Sequence, residues 1–273
     1  NIIDCPGSDD FCGSLFSAFK VGDVGVMVMN AQNGWEVGDE IQSRYARILN
    51  KPVIGVINQL DGDKANYEAM LEGIRAASPV KPVIVQYPVS QGAGFSFIDV
   101  LMMKMYHFTD ENGTREELDI PAEEMERARA LNQELTEAAA VYDDALMELY
   151  FEKGMLTQDD IRAGLKLGVA KRDVMPIFCC SAKRDIGTKR LMEFIINVAP
   201  GPQAAPKFLT TEGEELAADE TQPAVAFVFK SQLEQHIGEI SYFRVIRGKI
   251  TEGTELVNSR TGNKEKLSQL FAV

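Results

Sequence analysis

Four nearly unbroken apolar runs constrain the fold of this chain most. They lie at 24–30, 52–57, 82–86 and 174–180, and the first reads Val-Gly-Val-Met-Val-Met-Asn. Segments of helical periodicity separate them: Phe11, Leu15, Phe16 and Phe19 after a further strand at 1–4, then Ile41, Tyr45 and Ile48 in a helix at 36–49. Helices at 63–77 and 187–198 continue the pattern. Runs of Val, Ile and Met between helices are expected to be buried on both faces, which predicts an α/β fold with a mostly parallel sheet.

Between the third and fourth runs the texture changes. Residues 91–118 are mixed and loop-like. A long acidic helix is predicted from Asp119-Ile120-Pro121, with Glu123, Glu124 and Glu126 in its first turns. Leu131, Leu135, Ala139, Tyr142, Leu146 and Leu149 form one apolar stripe, and Thr157 opens another helix carrying Ile161, Leu165 and Val169. The segment at about 88–172 therefore reads as a helical insertion in a first domain spanning 1–202. Residues 203–222, rich in Pro, Gly, Thr and acidic side chains, read as a linker. Alternating strands at 224–230, 240–246, 254–258 and 264–271 predict the start of a small β-barrel at 223–273, with too few strands to close.

A length of 273 residues suits about two domains. The net charge of −13 argues against a broad nucleic-acid-binding face, since backbone binding needs clustered Lys and Arg. No run reaches the roughly 18 apolar residues of a membrane span. The four Cys, at 5, 12, 179 and 180, lack metal-ligand spacing and read as reduced thiols, which fits a cytoplasmic protein. The chain opens on an apolar strand without Met, so it is expected to be a piece of a longer protein.

Ligands of open parallel sheets bind where strand C-termini face a crevice, and three strand ends here carry suitable chemistry. Asp4-Cys5-Pro6-Gly7 offers a carboxylate for Mg²⁺, often through water, and a glycine amide that can approach a phosphate. Asn58-Gln59-Leu60-Asp61 offers a carboxylate that can accept both N1–H and N2–H of guanine. Ser181-Ala182-Lys183 offers a tight loop whose amide can bond guanine O6. Taken singly, the first also suits a plain turn, and in the second Asp61 or Asp63 also suits a helix cap.

In order and spacing the three stretches resemble those of translational GTPases, with the greatest likeness to elongation factor G. Residues 1–11 are similar to NIIDTPGHVDF, Asn58–Asp61 to N-K-x-D, and Ser181-Ala182-Lys183 to the S-A motif. The insert at 119–170, the 187–202 segment and the stretch from Ile237 to Gly248 are similar to the matching parts of that factor. The resemblance implies GTP or GDP with Mg²⁺ as ligands. Asp4 would take the magnesium-linked role and Gly7 the γ-phosphate. Asn58 and Asp61, with Ser181, Ala182 and Lys183, would form the guanine end. It also implies a ribosomal partner: ribosomal RNA and ribosomal proteins including the stalk protein, with neither DNA nor membrane. The implied activity is translocation of tRNA and mRNA. The alternatives are a ribosome-protection or peptide-release role, or a non-hydrolysing ribosome-binding module.

Three departures qualify that expectation. Ser8 stands where the family carries the His that positions the attacking water, and Asp9 follows where Val is usual. Slow or absent GTP hydrolysis follows from losing such a group. Gln59 replaces the Lys whose stem lies on the purine, so stacking should weaken. No G-x-x-x-x-G-K-[ST] phosphate loop occurs, so the isolated chain is expected to bind GTP poorly.

Overall fold

The computed structural model describes residues 1–90, 95–108, 113–204, 207–236 and 238–271, and of Asp9 the backbone alone. The chain divides at residue 205 into two compact units.

In the first unit the elements run α1 (Cys12–Val21), β1 (Gly25–Asn30), α2 (Val37–Ile48), β2 (Val53–Asn58), α3 (Tyr67–Ala77) and β3 (Lys81–Ile84). Then come β4 (Gln86–Ser90), β5 (Ser96–Asp99), β6 (Lys104–Phe108), β7 (Arg115–Leu118), α4 (Met125–Ala140), α5 (Asp144–Lys153), α6 (Gln158–Lys171), β8 (Val174–Cys179) and α7 (Thr188–Val198). The main sheet is parallel, in the order β1-β2-β8-β3. Its register pairs Asn30 with Asn58 and Ile57 with Cys179, so the C-terminal ends of three strands lie level. The core of this unit gathers on the sheet: Met27, Met29, Ile54, Ile57, Ile177 and Phe178 are all at most 2 % exposed.

Four expectations need correction. Residues 1–7 form no strand; Asp4, Gly7 and Ser8 are exposed, as are Ile2 and Ile3. Without a neighbouring strand on that side, the backbone there has no ladder to join. As a result β1 is an edge strand, and Val26 and Val28 are 39 % and 51 % exposed rather than buried on both faces.

The segment at 91–118 is not loop-like. Of its described residues, 96–99, 104–108 and 115–118 are strands of an antiparallel sheet, β4-β5-β6-β7, so the insertion is not purely helical. Phe97, Tyr106 and Phe108 pack together on one face, and Ile98, next along β5, is buried on the other.

The single long helix from residue 119 is instead two helices, with the first beginning at Met125. Asp143 breaks the stripe because its carboxylate caps α5, accepting from the amides of Ala145 and Leu146 at 2.8 and 3.2 Å. No residue of α5 is buried, whereas α4 and α6 pack closely. That close approach needs Gly164, where a Cβ would run into the carbonyl of Ala139. Thr157 opens α6 in a capping box with Asp160.

The second unit is antiparallel: β9 (Phe208–Leu209) pairs with β10 (Glu215–Leu216), β11 (Val225–Glu234) with β12 (Gly238–Arg247), and β13 (Glu255–Val257) with β14 (Lys264–Lys266). This is the start of a β-domain. Register shifts near Val225 and Val228 bend the long hairpin.

Candidate functional site

The level ends of β1, β2 and β8 hand over to three loops that are hydrogen-bonded together. The ladder runs one step beyond the strands, with Ala31 N–H on the carbonyl of Asn58 and Cys180 N–H on that of Ile57, both at 2.9 Å. Asn58 closes β2, and its Oδ1 accepts the backbone N–H of Ala182 at 2.9 Å. Leu60, fully buried, adds an N–H to the carbonyl of Cys180 at 3.4 Å.

The loop after β8 is pinned at its base. Ser181 and Ile186 exchange both backbone hydrogen bonds at 3.0 Å, and Ala182–Arg184 form one 3-10 turn between them. Gly187 then leaves the loop with φ +83°, at a point where a Cβ would meet the carbonyl oxygen of Cys179. Its left-handed backbone and this contact both exclude a larger residue. Ser181 is fully buried, and its Oγ is the one buried side-chain N or O atom without a hydrogen-bond partner among the described residues.

Asp61 lies in the loop after β2. It does not cap the next helix: that role falls to Asn66, whose Oδ1 accepts from Ala69 N–H at 3.0 Å. The Asp61 Oδ2 instead meets Nε of Arg184 at 3.2 Å, with the side chains 17 % and 27 % exposed. Gln59 has a left-handed backbone, φ +61°, and its Oε1 accepts from Nε2 of Gln32 at 2.8 Å. Sequence reasoning does not find Arg184 or Gln32, because nothing in their local pattern marks them as parts of this loop cluster.

The cysteines here are structural. The Cys180 thiol donates to the carbonyl of Ile186 at 3.1 Å, and burial, helped by Asp185 and Asp61, pushes its pKa up to about 12. Burial also pushes the Cys179 thiol up. Neither is a thiolate at neutral pH. Among the described residues no cluster of three or more His, Cys, Asp or Glu is placed to hold a metal ion, and no helix is long and apolar enough to cross a membrane.

The phosphate-end residues are placed differently. Asp4, Gly7 and Ser8 lie on the exposed, unpaired segment, and space is open around Gly7. The side chain of Asp9 lies outside the described residues. A cavity of about 200 Å³, lined by Met27, Trp35, Arg47, Val53, Arg172 and Met175, sits on the far side, where β2 and β8 begin.

The sequence profile of the elongation factor Tu GTP-binding domain matches residues 1–201. The chain belongs to that family. The profile of elongation factor G domain 2 matches residues 223–273. Elongation factor G of Thermotoga neapolitana is 31 % identical over 277 residues, and that of Ureaplasma parvum serovar 3 is 30 % identical over 276. Each alignment covers 99 % of this chain and 40 % of the relative, so the chain spans about two-fifths of their length. A crystal structure of a Thermus thermophilus protein superposes with a TM-score of 0.80 at 28 % identity, covering 97 % of this chain and 37 % of that one.

A GTP-binding domain of this family implies a guanine nucleotide, and the two ends of the site differ in how they suit one. At the base end, Oδ1 of Asp61 accepts no hydrogen bond from the described residues. The amide of Ala182, expected at guanine O6, is taken by Asn58. The next amide, on Lys183, makes no hydrogen bond to a described residue. A carboxylate and a loop amide, held by a rigid frame, suit a purine that has adjacent N–H donors and a carbonyl. Around Asp4, Gly7 and Ser8 the described residues form no amide cradle.

Proposed function

We propose that the protein is a guanine-nucleotide-binding translation factor of the elongation factor G type, acting on the ribosome. The observation that carries the reading is the bond between Asn58 and Ala182, which joins the Asp61 loop to the Ser181 loop at the C-terminal edge of a parallel sheet. In this reading Asp61 accepts the guanine N1–H and N2–H, the Ser181–Lys183 loop meets O6, and Asn58 holds the two loops in register. Asp4 supports Mg²⁺ through water, and Gly7 meets the terminal phosphate, both in the full-length protein. The division into a GTP-binding domain at 1–202, a linker at 203–222 and a β-domain from 223 belongs to the same proposal, with the linker carrying the short β9–β10 hairpin.

Ribosomal RNA and ribosomal proteins, including the stalk protein, are the partners that this reading names. The place of action is the cytoplasm, and the proposed work is movement of tRNA and mRNA. Ser8 favours weak hydrolysis, because a serine hydroxyl has neither the reach nor the proton chemistry of the imidazole it replaces. A factor that binds GTP and turns it over slowly is therefore the form of the proposal.

Nucleotide titration of the full-length protein tests the base end. GDP is expected to bind in preference to ADP, and Asp61→Asn is expected to shift preference toward xanthosine diphosphate, whose 2-oxo group wants a donor. Equal binding of GDP and ADP would refute the assignment of Asp61. Message-directed translocation, with GTP and with a non-hydrolysable analogue, tests the ribosomal role.

A further inference from the structure

We propose that Arg184 is the cation of the guanine site, a positioning residue that holds Asp61 and supplies the charge that the N-K-x-D pattern carries at position 59. The inference rests on the reading of Asp61 given above. Position 59 holds Gln59, which is uncharged, and its carbonyl accepts from Gln32 at 2.8 Å. That bond commits the side chain sideways, toward the loop after β1.

The positive charge arrives from the other loop. Arg184 ends the 3-10 turn after Ser181, and its Nε lies 3.2 Å from Oδ2 of Asp61. Both side chains are mostly withdrawn from water, with Asp61 17 % and Arg184 27 % exposed, where a carboxylate without a partner loses hydration that nothing replaces.

The geometry is that of support rather than competition. Arg184 approaches the carboxylate with Nε, 3.2 Å from Oδ2, and no hydrogen bond from a described residue falls on the Asp61 side chain. An ionised carboxylate has about four lone-pair sites. Asp61 therefore keeps enough acceptor capacity for two guanine donors while Arg184 stays in place. A residue that blocked the base would cover both oxygens in a bidentate fork. The turn carrying Arg184 is itself fixed, by the Ser181–Ile186 pair and by Asn58 on Ala182, so the guanidinium is delivered from a rigid frame.

The test compares GDP with IDP, which lacks only the 2-amino group, in calorimetric titrations of the full-length protein. Arg184→Ala is expected to weaken GDP about fivefold, the upper range for an ion pair that water still reaches, and to narrow the GDP-over-IDP preference. Arg184→Lys should recover most of both, as should adding Gln59→Lys to Arg184→Ala. Asp61→Ala should abolish the preference. Unchanged or tighter GDP binding by Arg184→Ala, with Asp61→Ala still damaging, would overturn the role of Arg184 and leave the base reading standing. Absence of any effect in Asp61→Ala would overturn both. Thermal unfolding is recorded for each variant. If Arg184→Ala unfolds, Arg184→Gln answers the same question with the stem retained, and is expected to lose GDP affinity too.

Discussion

Arg190 of α7 and Asp99 of β5 meet on a single oxygen: Nε and Nη2 of the guanidinium lie 3.1 and 2.9 Å from Oδ2. The side chains are 8 % and 0 % exposed. Gln86 of β4 donates to the same oxygen at 3.0 Å, and its own carbonyl takes the N–H of Cys179 at 3.2 Å. Met102 N–H covers Oδ1 at 3.0 Å. The antiparallel sheet of the insertion is thus bolted to β8. Arg190 keeps its ion pair with Glu193 at 2.6 Å, so Asp99→Ala leaves Nε and Nη2 of Arg190 and the Gln86 amide without an acceptor, and is expected to cost about 1–3 kcal/mol in denaturant unfolding. Asp99→Leu with Arg190→Met should cost much less. Equal costs for the single and double variants would mean that lost packing, not unsatisfied donors, sets the value.

Asn58→Ala removes the acceptor for Ala182. The expected loss is about 1 kcal/mol of stability, together with about tenfold weaker GDP binding, since the two loops proposed to meet the base lose their common tie. Affinity that stays put while stability falls would limit Asn58 to a structural role.

Ser8→His restores the imidazole at the position after Pro6-Gly7. Ribosome-stimulated GTP turnover by the full-length protein is expected to rise by about 10²–10⁴. No rise would show that Ser8 is not what limits hydrolysis.

The Cys180 thiol sets an alkaline limit. Its ordinary value is 9.0, and burial raises it to about 12 in the folded protein. Between those values the unfolded chain has lost a proton that the folded chain keeps. Stability is therefore unaffected below pH 9 and falls as pH climbs toward 12, by about 1.4 kcal/mol per unit for one thiol. Cys180→Ala should show a shallower decline in urea titrations over that range, and parallel declines would remove Cys180 as the cause.

Gly187→Ala asks a left-handed residue to accept a Cβ beside the Cys179 carbonyl. A loss of about 1–3 kcal/mol is expected, with weaker GDP binding, because the same turn closes the Ser181 loop. A melting temperature equal to that of the parent protein would disprove the constraint.

Much of this frame is legible in the sequence. The runs at 52–57, 82–86 and 174–180 are so apolar that only buried strands suit them, and their ends carry Asn58 and Ser181. The antiparallel sheet is not legible, because its strands are short and polar: Lys104, His107, Glu116 and Glu117 hide the alternation, and Asp99 is buried only because Arg190 and Gln86 meet it. The break at Asp143 is hidden because apolar spacing continues across it while the cap overrides the stripe. Arg184 leaves no signal, since a contact between two loops is set by sheet register rather than by spacing.

The Asn58–Ala182 bond joins residues 124 positions apart. Everything between them, including the whole inserted sheet and the helices packed on it, has to be made before the bond can form. Closing so long a segment carries an entropic cost that only the packed sheet offsets. The loop cluster around Asn58 therefore matures late as the chain is synthesised, after residues 58–182 have been made.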